Sequence, residues 1–301
     1  MPLWGIDLGG TKIEGVVLES VEKPDVRCRM RIDTEAPHGY DHILGRIALL
    51  VQMMADETGL RPGRIGIGTP GALDPITGLL KNSNTTCLNG QPFKADLEAK
   101  VGLPTVMAND ANCFALAEAR LGVVRREMPN AEVVFGVIMG TGVGGGVVVN
   151  GRVINGRQGI GGEWGHNFLD ESGGPCYCGK TGCVEKVIAG PALQRYYTSL
   201  SGESLKLKEI VQRHAAGTDP HATATMQRLV EMFGKAMSVV INILDPDVIV
   251  LGGGVSNVEL LYTDGIAEVR KHVFNNRLDT VFLKPALGDS AGVFGAAMLV
   301  A

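Results

Sequence analysis

Apolar and polar positions along this chain fall into two alternating rhythms. Residues 3–7 and 13–18 read as strands on either side of a glycine turn, Gly9-Gly10-Thr11-Lys12, and residues 27–34 alternate like a third strand. Residues 41–58 change to helical spacing, with Ile43, Ile47, Leu50, Val51 and Met54 on one face. Short apolar runs at 64–68, 104–108, 132–139, 147–149, 247–251 and 280–283 predict further strands. Helices are predicted over 92–100, 111–121, 184–200, 205–216, 220–244, 264–275 and 290–300. Strands alternating with helices predict an α/β fold.

Three of the strands run into glycine clusters: Gly9-Gly10, residues 140–146 and residues 252–254. Glycine lets backbone N–H groups come close to an anion. A shift of 130 residues places Gly10-Thr11 on Gly140-Thr141 and Gly15 on Gly145, and the flanking strands coincide. The pattern reads as a duplicated strand–turn–strand unit. Each cluster alone could be an ordinary tight hairpin. Together they favour phosphate or nucleotide binding, with Thr11, Lys12 and Thr141 as side-chain donors. Gly140-x-Gly142-x-x-Gly145 also fits the dinucleotide fingerprint, but that fingerprint needs a helix next, and 147–149 reads as a strand.

The cysteines change the picture. Of six, three fall within eight residues, Cys176, Cys178 and Cys183, and His166 lies ten residues upstream. Three thiolates and one imidazole make a closed tetrahedral zinc set, with no position left open for water. A P-loop pattern fits residues 174–181 by letter, yet no apolar strand precedes it and two of the cysteines lie inside it. The N-terminus lacks a signal-peptide pattern, so a cytoplasmic location with reduced thiols is expected, and the clustered cysteines read as metal ligands. Cys28, Cys87 and Cys113 read as small buried apolar residues.

Composition narrows the partners. A net charge of −4 without a basic run argues against a nucleic-acid surface and for a small molecule. No segment reaches the roughly 18 continuous apolar residues of a membrane helix. A length of 301 residues suggests two domains. Asn109-Asp110 sits where a strand meets a helix. Asp110 is there either a helix cap or a carboxylate facing a ligand at the carboxyl end of a strand, and both readings stand. Glu163 and Glu185 flank the metal ligands, which would fix their geometry.

In order along the chain, Asp7-Leu-Gly-Gly-Thr-Lys12, Asn109-Asp110-Ala-Asn112, Gly140-Thr-Gly142, Glu163-Trp-Gly-His166, Cys176-x-Cys178-x4-Cys183 and Asp245-Pro-Asp247 through Gly254 resemble the ROK sugar kinases. The resemblance covers essentially the whole chain. Residues 81–93, together with Pro175-Cys-Tyr-Cys-Gly-Lys180, look most like the bacterial fructokinase (manno(fructo)kinase) branch. The resemblance implies a two-domain actin-like, RNase-H-like ATPase fold with a cleft and a zinc-binding loop. Residues 1–115 with 289–301 would form one domain and 116–288 the other. It implies ATP, Mg²⁺, structural Zn²⁺ and a homodimer. By position, Asp110 is the catalytic base, and Asn109 and Asp110 hold the reacting hydroxyl. Gly71, Asn84, Glu163, His166 and Glu185 line the sugar site, His166 having one ring nitrogen on zinc and the other toward the sugar. Gly9, Gly10, Thr11, Lys12, Gly140, Thr141 and Gly142 hold phosphates, Gly253 and Gly254 lie near the adenosine, and Asp7 near Mg²⁺. The expected reaction is phosphorylation of the terminal primary hydroxyl of fructose, with glucose, mannose or N-acetylated hexosamines as alternatives. ROK repressors carry a DNA-binding domain before the first glycine turn. The first strand here starts near residue 3, so the chain reads as a kinase.

Overall fold

The computed structural model describes residues 1–301. The chain opens with β1 (Leu3–Leu8), β2 (Lys12–Leu18) and β3 (Val26–Asp33), then α1 (Tyr40–Thr58) and β4 (Ile65–Thr69). A small hairpin follows, β5 (Ala72–Leu73) and β6 (Leu80–Lys81), then α2 (Phe93–Val101), β7 (Thr105–Asn109), α3 (Asp110–Arg120) and α4 (Val123–Glu127). The five larger strands form one sheet in the order β3-β2-β1-β4-β7. β1, β4 and β7 run parallel, while β2 pairs antiparallel with both β1 and β3. Asp7 pairs with Gly68, and Thr69 with Asn109, so three strands end side by side. Open α/β sheets bind ligands at that edge. The five apolar positions of α1 read from its spacing are all buried, and Gly59 ends the helix in the left-handed region at φ 66°.

A second five-stranded sheet contains β8 (Val133–Met139), β9 (Val143–Val149), β10 (Arg152–Val153), β11 (Val248–Gly252) and β12 (Val281–Leu283), in the order β10-β9-β8-β11-β12. β8, β11 and β12 are parallel. Its helices are α5 (Val184–Ile188), α6 (Gly190–Ser201), α7 (Leu207–Ala215), α8 (Pro220–Leu244) and α9 (Asp264–His272). The single helix expected over 184–200 is two. Ala189 is extended at ψ 156°, just before Gly190-Pro191. A continuous helix would lack the Pro191 N–H and drive its ring into the preceding turn. α9 stops at His272 rather than 275, because the N–H of Phe274 donates to Asn242 Oδ1 at 2.9 Å instead of to a helical carbonyl. No helix is long and apolar enough to cross a membrane.

The chain divides into two compact units: Met1–Asn130 with Gly146–Gly162 and Ala286–Ala301, and Ala131–Gly145 with Glu163–Pro285. Into the first unit returns α10 (Ala291–Met298), built of small residues. A Cβ at Gly66 would stand 1.8 Å from the Ala296 carbonyl oxygen, and one at Gly5 would stand 2.3 Å from the Ala297 nitrogen. Only glycine on β1 and β4 lets the helix backbone lie this close. The entry to this return is pinned by the buried Glu118 of α3, whose carboxylate accepts N–H bonds from Val123, Ala286 and Leu287.

Candidate active site

Asp110 is the first residue of α3, directly after β7. The helix cap is Asn109, whose Oδ1 accepts the Asn112 N–H at 2.8 Å. The capping role left open for Asp110 therefore falls to its neighbour. Asp110 Oδ1 accepts the Ala111 N–H at 2.7 Å. The carboxylate reaches solvent from a dense protein surround. Desolvation raises its pKa, against the pull of the Ala111 amide and its own. The site thus holds a carboxylate that is a stronger base than a free aspartate.

Asp7, at the end of β1, lies near enough to be repelled by Asp110. Desolvation first, then Asp110 and Glu14, push its carboxyl up to about 7, while Arg31 pulls it down. Glu14, opposite Asp7 on β2, is itself buried and held by Arg29 and Arg31 at 2.5 and 2.6 Å. On the other side a Cβ at Gly292 would meet Asp7 Oδ2 at 2.5 Å. A carboxylate this crowded and repelled is a natural seat for a divalent cation, which would restore its charge. The ligand-free fold favours protonated Asp7. That stability is present at low pH and is lost as pH rises from 3.8, the ordinary carboxyl value, through about 7. Asp7→Asn should then raise the melting temperature of the cation-free protein at pH 8, by an amount worth at most about 4 kcal/mol, and change it little at pH 4. Equal shifts at both pH values would show that Asp7 is not strained by its charge.

The first glycine turn is closed by the Gly9 N–H on the Lys12 carbonyl and braced by Thr34. Gly10, Thr11 and Lys12 are exposed on it, free for an anion. Gly71 takes φ 101° and lies against Lys81 and Ser83, while Asn84 is exposed nearby.

In the second unit the other glycine turn spans Gly140, Thr141 and Gly142 between β8 and β9. β9 is the strand that rules out a dinucleotide fingerprint. Gly253 follows β11 at φ 84°, where a Cβ would stand 2.4 Å from the Met139 carbonyl oxygen, and Gly254 adjoins Gly140. The structure therefore brings together Gly140, Gly142, Gly253 and Gly254. Glu185 joins them, its Oε2 accepting the Val143 N–H at 3.1 Å and lying 2.6 Å from where a Gly142 Cβ would be. The metal loop is tied in the same way. The indole N–H of Trp164 donates to the Gly144 carbonyl at 2.9 Å, and a Cβ at Gly165 would meet the Val143 oxygen at 2.0 Å.

His166, Cys176, Cys178 and Cys183 point their donor atoms to one place, all within 4.8 Å of one another. His166 Nδ1 to Cys176 Sγ and Cys178 Sγ to Cys183 Sγ are each 3.6 Å. A tetrahedron with Zn–S bonds of about 2.3 Å has edges of about 3.8 Å, so the donor set fits zinc. Burial pushes the Cys183 thiol up to about 12, a charge penalty that a bound cation would remove. The loop is laced by the Cys176 N–H on the Lys180 carbonyl and the Val184 N–H on the Asn167 carbonyl. It is tied to α8 by Arg228, which contacts Asp170 and Ser172.

One residue escapes a reading by motif. Tyr177, the spacer of the Cys-x-Cys step, sets its hydroxyl 3.0 Å from His166 Nε2. Although the residue as a whole is exposed, desolvation local to the hydroxyl first, then the charges of Glu185, Cys176 and Glu163, push it up to about 12, so it is neutral. The sequence signal was only an aromatic at a position where any residue serves as spacer.

A family model described as ROK family matches residues 3–301. The N-acetyl-D-glucosamine kinase of Aliivibrio fischeri is 36% identical over 307 residues, covering 98% of each chain. The ROK hexokinase from Thermus thermophilus superposes with a TM-score of 0.88 at 33% identity, covering 99% of this chain and 97% of that one. A ROK family glucokinase from Streptomyces griseus, solved with glucose and AMPPNP, gives 0.76 at 28% identity, covering 99% of both. With the family matched from residue 3 to the last and these relatives similar over nearly their whole length, the chain belongs to the ROK family as one of its sugar kinases.

Proposed function

We propose that the protein transfers the γ-phosphoryl group of ATP to the terminal primary hydroxyl of N-acetyl-D-glucosamine. The observation that carries the substrate is the 36% identity, over 98% of both chains, with an N-acetyl-D-glucosamine kinase. The fructose expectation rests on residues 81–93 and 175–180 alone, so the acetylated hexose takes its place and fructose becomes the second reading.

In this reading Asp110 takes the proton of the attacking hydroxyl, helped by the desolvation that raises its basicity. Asn109 spends its oxygen on the helix cap and keeps its amide N–H groups for the hydroxyl. The amides of the Gly9–Lys12 and Gly140–Gly142 turns, with Thr11, Thr141 and the Lys12 ammonium, hold phosphate oxygens, over which transition-state charge is spread. Gly253 and Gly254 offer a flat backbone surface to the adenosine. Asp7 would hold Mg²⁺, which when bound neutralises charge on the transferring group. His166, Cys176, Cys178 and Cys183 would hold a structural Zn²⁺. Glu163, His166 and Glu185, with Gly71 and Asn84, would contact sugar hydroxyls.

A coupled ADP-release assay with MgATP over N-acetyl-D-glucosamine, N-acetylmannosamine, glucose, mannose and fructose tests the reading. N-Acetyl-D-glucosamine should show the highest kcat/KM. A fructose value above it would reinstate the fructokinase reading, and no ADP release with any hexose would end both.

A further inference from the structure

The His166 nitrogen that faces away from the thiols already has a partner. Nε2 lies 3.0 Å from the Tyr177 hydroxyl, and the two rings meet edge to face at 5.1 Å and 86°. Nδ1 lies 3.6 Å from Cys176 Sγ, within the donor set. A nitrogen that ligates a metal gives up its lone pair, so the proton of the neutral imidazole resides on Nε2. The Nε2–H then donates, and the phenol oxygen accepts. A sugar hydroxyl at the same N–H would make the same bond, with one hydroxyl oxygen exchanged for another. An N–H of this kind has a single proton to give, so the two oxygens compete for it.

Tyr177 is suited to give way. Its backbone is fixed between Cys176 and Cys178, but its side chain is 78% exposed and free to swing outward. We propose that Tyr177 is a substrate-displaced cap. Its hydroxyl oxygen satisfies the His166 Nε2–H in the sugar-free protein, and a sugar hydroxyl replaces it on binding. The proposal rests on the reading that His166 contacts the sugar, and it adds a specificity-setting residue to that contact. Until the sugar arrives, the cap holds the imidazole in one tautomer and orientation. It does so at the expense of affinity, because the sugar must break a bond to make one.

The test compares zinc-loaded wild type with Tyr177→Phe and Tyr177→Ala. Binding of N-acetyl-D-glucosamine, or of whichever hexose the wild type phosphorylates, is measured by calorimetry, zinc content by elemental analysis, and kcat and KM by ADP release. Phe keeps the ring on the imidazole and deletes only the competing oxygen. It should bind sugar about five-fold more tightly, the value of one ordinary hydrogen bond, with zinc content unchanged and kcat within two-fold. Ala should tighten binding as well, which excludes an effect of the ring alone. Unchanged or weaker sugar binding with zinc retained overturns the cap, as the phenol then has no role or contacts the sugar itself. Loss of zinc overturns it too, as the phenol is then only an orienter of the metal ligand. If wild type phosphorylates a hexose and the variants match it, the kinase reading survives and the cap does not. If wild type neither binds nor phosphorylates any hexose, both fall together.

Discussion

Asp110→Asn lowers kcat by about 100- to 10,000-fold, the range over which a positioned base contributes, and leaves sugar affinity within about two-fold. The substitution separates chemistry from folding because the structure has already separated them. Asn109 caps α3 through its own Oδ1, so the helix start does not depend on the Asp110 carboxylate. An amide oxygen at 110 can still accept the Ala111 N–H that Asp110 Oδ1 accepts now. What an amide cannot do is take a proton. Removing a raised-pKa acid also relieves Asp7 of one of its repulsive neighbours, so the variant should be no less stable than wild type. Turnover measured beside calorimetric sugar binding decides the matter. Near-normal turnover removes Asp110 from the role of base.

The second large effect is on the metal loop. Cys178→Ser should weaken zinc retention by at least about 100-fold and raise the sugar KM roughly ten-fold or more, with a smaller change in kcat. Cys178 is the exposed ligand, so the substitution opens no void, unlike one at the fully buried Cys183. The Lys180 amide holds the Cys178 thiol below its usual pKa, ready to ligate as thiolate, and a serine hydroxyl has no such ionised form at neutral pH. KM should respond because Glu163, His166 and Glu185 are carried on the segment that the four ligands fold together. Zinc content and steady-state kinetics on the same preparation provide the check. Zinc-free protein with an unchanged KM would mean that the loop serves stability alone.

Much of this fold follows from periodicity and spacing alone. The inward face of α1 follows from its spacing, because one amphipathic helix against one sheet leaves a single solution. The candidate metal tetrad was legible because thiolate chemistry restricts what four such residues can do. Its donor atoms do converge. The break between α5 and α6 was readable in principle from Pro191, but the apolar rhythm runs through it and hid the stop. β5 and β6 are two residues each, too short for any period to show. Glu14 was invisible as a site because a lone glutamate in a strand looks solvated, and only pairing with Arg29 and Arg31 explains its burial. Tyr177 lay beyond reach for a different reason. Its meaning comes from which imidazole nitrogen it meets, and a sequence does not state tautomers.

The tight seating of α10 sets an order of events during synthesis. Its backbone fills the space above Gly5 and Gly66, next to α3, yet it is translated only after Pro285, the last residue of the second unit. Residues 1–130, made earliest, therefore wait with an open groove over β1 and β4 while the second unit emerges and folds. The Glu118 carboxylate meanwhile lacks its Ala286 and Leu287 donors. Burying a carboxylate that has only the Val123 N–H as donor is costly, so the groove has reason to stay loose until those amides arrive. Such long-range closure slows folding and leaves an apolar surface exposed in the interval. A released chain ending at residue 285 should accordingly be protease-sensitive in residues 1–130.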